Sequence, residues 1–332
     1  MASNQNLSSG DFENGTGDEW PESGVAVSPS LGAVKTIIAC LAVLGNSVVI
    51  IVMLLRHKMF SSFTNRLILH QSCIDLAAGL VFFCSTVLKS PNTVVVSKEG
   101  NLSDKLICSL LFSDFFLWCL NVTSTYNLVA ISLERFVATC HMAKWRNSCT
   151  KAKLRRGAMV TSWVVGFVYC SHMTLMVEPV QGRCQFVPIS PSLKICIGVL
   201  ALSIEYVVPV LIMTYSYVKI LTMLTKNLAN PVNPRQHIIR RAKKNILVTI
   251  LLVIIVFAIC WTPTECYYVG TLLLDLQPNE PVYTAFTTLL ACNLFINPII
   301  YSFIYKHFRA QLSDLLTLGR YRRNRVENIP QG

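Results

Sequence analysis

Charge is scarce in this chain. Only 14% of its residues are Asp, Glu, Lys or Arg, against roughly 25% in an ordinary soluble domain. The shortage is also uneven. Residues 115 to 133 contain none of the four, and the first thirty residues contain no Lys or Arg. So little charge cannot solvate the surface of a large soluble fold. Chemical signatures are missing too. There is no Cys-x-x-Cys, no zinc-type cluster, no His-Glu-x-x-His and no nucleophile–base–acid set at catalytic spacing, so the expectation is a protein that is not an enzyme and holds no resident cofactor. The six His are scattered near block ends and loops. No repeat relates the two halves, as it does in many transporters.

What the chain has in abundance is apolar sequence. Hydrophobic residues make up 53% and the mean hydropathy is +0.51. Seven apolar blocks lie near 31–55, 66–88, 106–138, 157–177, 193–224, 243–274 and 282–305. Each exceeds the roughly 20 residues needed to cross the hydrocarbon of a bilayer. In lipid each must satisfy its own backbone hydrogen bonds, so each reads as a helix. The expected fold class is an all-α membrane protein, a seven-transmembrane helix bundle over 31–305. A polar, disordered, extracellular segment at 1–30 precedes it, and a short amphipathic interfacial helix at 306–318 and a cytoplasmic tail at 319–332 follow. In "YKHFRAQLSDLL", Phe308, Leu312 and Leu315 are expected to face lipid, and "GRYRRNR" suits anionic lipid. Most of the 13 cysteines fall inside apolar blocks, as small buried side chains do.

The net charge of +12 is carried by the connections, with no polar domain left to present a nucleic-acid-binding face. Lys144, Arg146, Lys151, Lys153, Arg155 and Arg156 crowd one connection. Lys226, Arg235, Arg240, Arg241, Lys243 and Lys244 crowd another. On the opposite side the N-terminal segment carries Asp11, Glu13, Asp18, Glu19 and Glu22. Basic loops stay in the cytoplasm, which puts the N-terminus outside and the C-terminus inside the plasma membrane. Asn6, Asn14 and Asn101 then begin outer glycosylation sequons, while the sequon at Asn121 lies inside a span.

Polar groups within the spans carry the functional signal, because a charge in hydrocarbon must be paired or face an interior cavity. Asp75, Asp114, Glu205 and Glu265 are such groups, and Trp261, Asn293 and Asn297 add polarity near mid-depth. Pro209, Pro263 and Pro298 each remove a helical hydrogen bond and kink their helix. For Asp75 two readings stand, a structural hydrogen-bond network or an ion site. Glu134 beside Arg135, at the end of the long uncharged stretch, reads either as a pair of interfacial anchors or as a functional ion pair.

These motifs, in this order, resemble the rhodopsin-like class of G-protein-coupled receptors. The resemblance rests on "GNSVV" with Asn46, "CIDLAAG" with Asp75, Ser124 and "SLERF", Trp163, Pro209 with Tyr217, "FAICWTP", and "NPIIY" followed by Phe308. It covers roughly residues 31 to 318. It implies that Glu134 restrains Arg135 at rest, and that Tyr217, Phe257, Trp261, Pro263, Asn297, Pro298 and Tyr301 take part in the activation switch. It implies an allosteric sodium ion at Asp75, Ser124, Asn293 and Asn297, with Asp75 and Ser124 as metal ligands. It also implies an outer disulfide between Cys108 and Cys184, although Cys108 stands 27 residues before Arg135 where the family usually has 25. Phe136 replaces the usual Tyr, and Lys243 stands where an acid is frequent. Heterotrimeric G protein, arrestin, receptor kinase and membrane lipid are the implied partners.

Ligand chemistry is narrower. The retinal Lys of opsins falls at Ala291 and the monoamine Asp at Leu117, so neither class fits. The expected cavity holds Trp118, Asn121, Glu205, Glu265 and Tyr268, with Asp114 and Tyr267 near its mouth. Acids with aromatics suit a cation, and the resemblance extends to peptide-receptor branches. A peptide, Arg-containing or amidated, is the leading expectation. A small cationic molecule and ligand-independent signalling are the alternatives. Glu205 and Glu265 also have a plain reading, as neutral groups hydrogen-bonded between helices.

Overall fold

The computed structural model describes residues 29–88, 96–141, 148–188, 190–228, 234–273 and 279–326. The sequons at Asn6 and Asn14 and the acidic N-terminal segment lie outside the described residues. Seven helical segments are long and apolar enough to cross a membrane: Ser30–Leu55, Phe63–Thr86, Phe115–Cys140, Ala152–Leu175, Pro191–Met223, Leu251–Thr271 and Pro281–Phe303. Their outward faces are apolar, with Ile37, Leu44, Val168, Leu211 and Ile259 all exposed. Their inward faces carry the polar residues, including Asn46, Asp75, Ser124, Asn127 and Asn297, all buried. That inversion of the soluble pattern is what a lipid solvent selects.

The elements are α1 (Pro29–Leu55), α2 (Phe63–Leu88), α3 (Leu102–Ile107), α4 (Phe115–Cys140), α5 (Ser148–Cys170), the strands β1 (Val177–Val180) and β2 (Arg183–Phe186), α6 (Pro191–Ala201), α7 (Val208–Leu228), α8 (Pro234–Leu273), α9 (Glu280–Ala291), α10 (Asn293–Phe303) and α11 (Lys306–Val326). Three of the seven apolar blocks are broken helices. The third block is not one helix from 106: α3 widens into a π turn at Cys108–Phe112, and the chain breaks at Asp114, whose φ of 56° is left-handed. The fifth passes from α6 to α7 through a π turn at Leu202–Val207. The seventh breaks between α9 and α10 at Cys292. Such wide turns re-aim side chains and concentrate at functional sites.

The break in the third block accounts for the irregular cysteine spacing. The π turn and the left-handed residue take up the extra chain between Cys108 and Arg135, and Cys108 is bonded to Cys184 with a Cα–Cα distance of 5.4 Å. Cys184 lies in an antiparallel hairpin that pairs Val177 with Phe186 and Pro179 with Cys184. Its two-residue turn, Gln181 at φ 50° and Gly182 at φ 86°, has the positive dihedrals that a tight hairpin needs. The hairpin is thereby fixed over the end of α4.

Helix α11 departs from expectation. It runs to Val326, past residue 318, and Phe308 does not face lipid. Phe308 is fully buried, 6.2 Å from the Phe60 ring, and Leu312 and Leu315 also pack against the main core. A large aromatic placed one turn after the last span gains more by filling the bundle end than by lying in the interface.

Candidate functional site

Two polar regions lie at opposite ends of the bundle, and a buried network lies between them. At the end where α2 begins and α4 and α10 finish, a cleft is lined by Thr64, Asn65, Ser132, Arg135, Tyr301 and Tyr305, among others. Glu134 is buried and Arg135 partly exposed. Arg135 donates from Nε to Glu134 Oε2 at 2.5 Å and from Nη2 to Oε1 at 3.0 Å, the two-pronged geometry that makes Arg–carboxylate pairs strong. Thr64 Oγ1 donates to the same carboxylate at 2.6 Å, and Tyr305 Oη donates to Asn65 Oδ1 at 2.9 Å. Sequence reasoning missed Thr64 and Tyr305, because neither belongs to a motif. Tyr217 is partly buried against the same core.

At the other end, the π turn after α6 brings Glu205 against Glu265 of α8. The two carboxyl groups lie near each other, and Tyr169 lies near Glu205. Glu265 is buried, and its Oε2 has no hydrogen-bond partner among the described residues. Tyr268, one turn on from Glu265, shares its helix face and lies close to both acids. Tyr169 is another residue that sequence reasoning missed, since nothing in the sequence of α5 places it beside an acid on another helix. Tyr267 sits apart from this cluster. Its hydroxyl donates to the Asn279 carbonyl at 3.1 Å and accepts from Asn279 N at 2.6 Å, so it ties α8 to the start of α9. Asp114 occupies the left-handed break before α4, and Asn121 is buried lower on α4. Asn101 is exposed at the N-cap of α3.

An aromatic stack descends from the acids. Trp118 meets Trp261 edge-on with centroids 6.4 Å apart, Trp261 lies 5.4 Å from Phe257, and Phe257 stacks on Tyr206 at 6.5 Å. Trp261 is 1% exposed, and its Nε1 has no hydrogen-bond partner among the described residues. Pro263 lies inside α8 just above it.

Below the stack, Asp75 is fully buried. It accepts from Ser124 Oγ at 2.8 Å, Asn297 Nδ2 at 3.0 Å, and Gln71 Nε2 at 3.0 and 3.2 Å. Asn293 is buried one turn away on α10, but among the described residues it makes no hydrogen bond to Asp75. Asn46 Nδ2 donates to the Leu294 carbonyl at 2.9 Å, and Gly45 leaves room for Pro298, 3.1 Å from where a Cβ would stand. The structure thus gathers Asp75, Ser124 and Asn297, and adds Gln71. The signal was in the sequence: Gln71 precedes Asp75 by four residues, one turn of the same helix face.

The family described as "7 transmembrane receptor (rhodopsin family)" matches residues 45–301. Human Neuromedin-K receptor is 27% identical over 82% of this chain and 58% of its own length. Zebrafish (Danio rerio) Galanin receptor 2b is 28% identical over 90% of this chain and 78% of its own length. Rat (Rattus norvegicus) Melatonin receptor type 1B is 23% identical over 89% and 80%. This chain spans about three fifths of the length of the Neuromedin-K receptors it matches.

Proposed function

Since this chain belongs to the rhodopsin family of seven-transmembrane receptors, we propose that it binds an extracellular ligand, most directly a peptide, and activates a heterotrimeric G protein. The N-terminus lies outside the plasma membrane and the C-terminus in the cytoplasm, in keeping with the distribution of Lys and Arg. The observation that carries the ligand reading is the nearness of Glu205 and Glu265, with one buried carboxylate oxygen unmet among the described residues. Two neighbouring acids with Tyr169 and Tyr268 nearby form a receptacle for one cationic group. An Arg side chain is the peptide group with the most donors to fill it. The names of the relatives lean the same way, since neuromedin K and galanin are peptide ligands of those receptors. A small cation would satisfy the same acid pair and is the second reading.

The mechanism is a two-state shift. A ligand seated at Glu205 and Glu265 repacks Trp118 against Trp261. Turning the Trp261 ring breaks no indole hydrogen bond among the described residues. The lower half of α8 then swings about Pro263, the cytoplasmic cleft widens, and Arg135 exchanges Glu134 for the G protein. The ligand contributes only its difference in affinity for the two states. Arrestin and receptor kinase would use the same opened end. The chain itself does no covalent chemistry.

The test is G-protein dissociation in transfected cells, challenged with amidated and Arg-containing peptides and with small cations. A saturable peptide response is expected, with potency falling about tenfold or more in Glu265→Gln, the loss of one charge-assisted bond. Responses to small cations alone would transfer the site to the second reading. Full potency in both Glu205→Gln and Glu265→Gln would refute the acid-pair site.

A further inference from the structure

Family membership implies a sodium ion at Asp75, and the side chains around Asp75 do not fit one. A carboxylate offers about four lone-pair directions. Here Oδ1 accepts from Ser124 Oγ and Gln71 Nε2, and Oδ2 accepts from Asn297 Nδ2 and Gln71 Nε2. Gln71 Nε2 also donates to Ser124 Oγ. A hard cation needs oxygen lone pairs converging on one point. What converges between Asp75 and Ser124 is an amide with its hydrogens facing both.

We infer that the Gln71 carboxamide is the built-in partner of Asp75, taking the place of a cation and leaving this receptor without sodium control.

The orientation of that amide is fixed from its other end. Gln71 Oε1 accepts from Asn127 Nδ2 at 2.8 Å, and Asn127 Oδ1 pairs with His70 Nδ1 at 2.9 Å. Trp163 Nε1, which can only donate, donates to His70 Nε2 at 2.9 Å. His70 therefore carries its proton on Nδ1 and donates it to Asn127. The chain from Trp163 through His70, Asn127 and Gln71 to Asp75 has a single polarity: Trp163 donates, Asp75 accepts, and each of the three groups between accepts on one side and donates on the other. Turning the Gln71 amide over would set its oxygen against the Asp75 carboxylate and its NH2 against that of Asn127, breaking bonds at both ends. A sodium ion would have to evict the amide and leave Asn127 Nδ2 with only the Leu67 carbonyl, at 3.1 Å, as acceptor. The network also joins α2, α4, α5 and α10, so the cost of eviction spreads over four helices.

The test reads cation binding alone and does not depend on knowing the ligand or the G protein. The purified full chain in detergent is unfolded thermally in rising NaCl, with N-methyl-D-glucamine chloride replacing it at constant ionic strength. The wild type is expected to show no sodium-specific shift in melting temperature. Gln71→Leu or Gln71→Met should acquire a saturable rise of roughly 3 °C or more, abolished by adding Asp75→Asn. Two results would overturn the inference: a saturable sodium shift in the wild type that Asp75→Asn removes, or folded Gln71 variants that gain none. If neither variant folds, the wild-type titration decides, since a sodium shift there refutes the resident amide and its absence upholds it.

Discussion

Glu134 serves two partners with one carboxylate. Arg135 engages both of its oxygens and Thr64 engages one, and the buried acid is stable because all three groups stay in place. Replacing it as Glu134→Gln removes the charge but keeps the shape. A charge-assisted bond contributes about 1.5 kcal/mol, so the resting equilibrium should move about tenfold toward the released arrangement. Ligand-free G-protein activation should rise accordingly, measured as basal nucleotide exchange at matched surface expression. Unchanged basal exchange would show that the pair does not restrain the receptor. The sequence made this pair visible, because an acid beside an Arg is conspicuous after nineteen uncharged residues. It could not reveal Thr64, and it marked Gln71 only by its place one turn before Asp75. Their importance comes from reaching across to another helix or up one turn, and neutral side chains leave no mark in a charge count.

Elements were legible to the extent that length and hydropathy determine them. Seven apolar blocks became seven spans because hydrocarbon permits no other backbone. The breaks at Asp114, Leu202–Val207 and Cys292 were not legible, since each is set by packing against neighbours and only the cysteine spacing betrayed one of them. Close helix approach is equally hidden. Gly166 of α5 faces α4 so tightly that a Cβ there would stand 2.7 Å from the Cys119 carbonyl and would also strike Thr123 Oγ1. The carbonyl belongs to helix backbone and cannot rotate away. Gly166→Ala should therefore push α5 from α4 and lower thermal stability by about 1–3 kcal/mol, read as a fall in melting temperature of the purified receptor. A neutral Gly166→Ala would mean that the two helices separate freely. The same crossing supports the hydrogen bond from Trp163 to His70, so the variant should also loosen the Asp75 network.

Across the whole molecule, the two ends are built for different solvents and partners. One end is a disulfide-anchored hairpin above two neighbouring acids, and the other is a cleft around Arg135, which is paired with Glu134. An aromatic stack and a polar network lie between them in the interior. Such an arrangement transmits only a change of population, so everything rests on Arg135 being the group whose release is read by the G protein. The decisive measurement is nucleotide exchange on purified heterotrimers, driven by membranes carrying wild type or Arg135→Ala at equal surface density, with and without the peptide panel. Exchange above the receptor-free level in wild type, falling to that level in Arg135→Ala while the protein still folds, is the predicted result. Equal exchange by both proteins would contradict the mechanism.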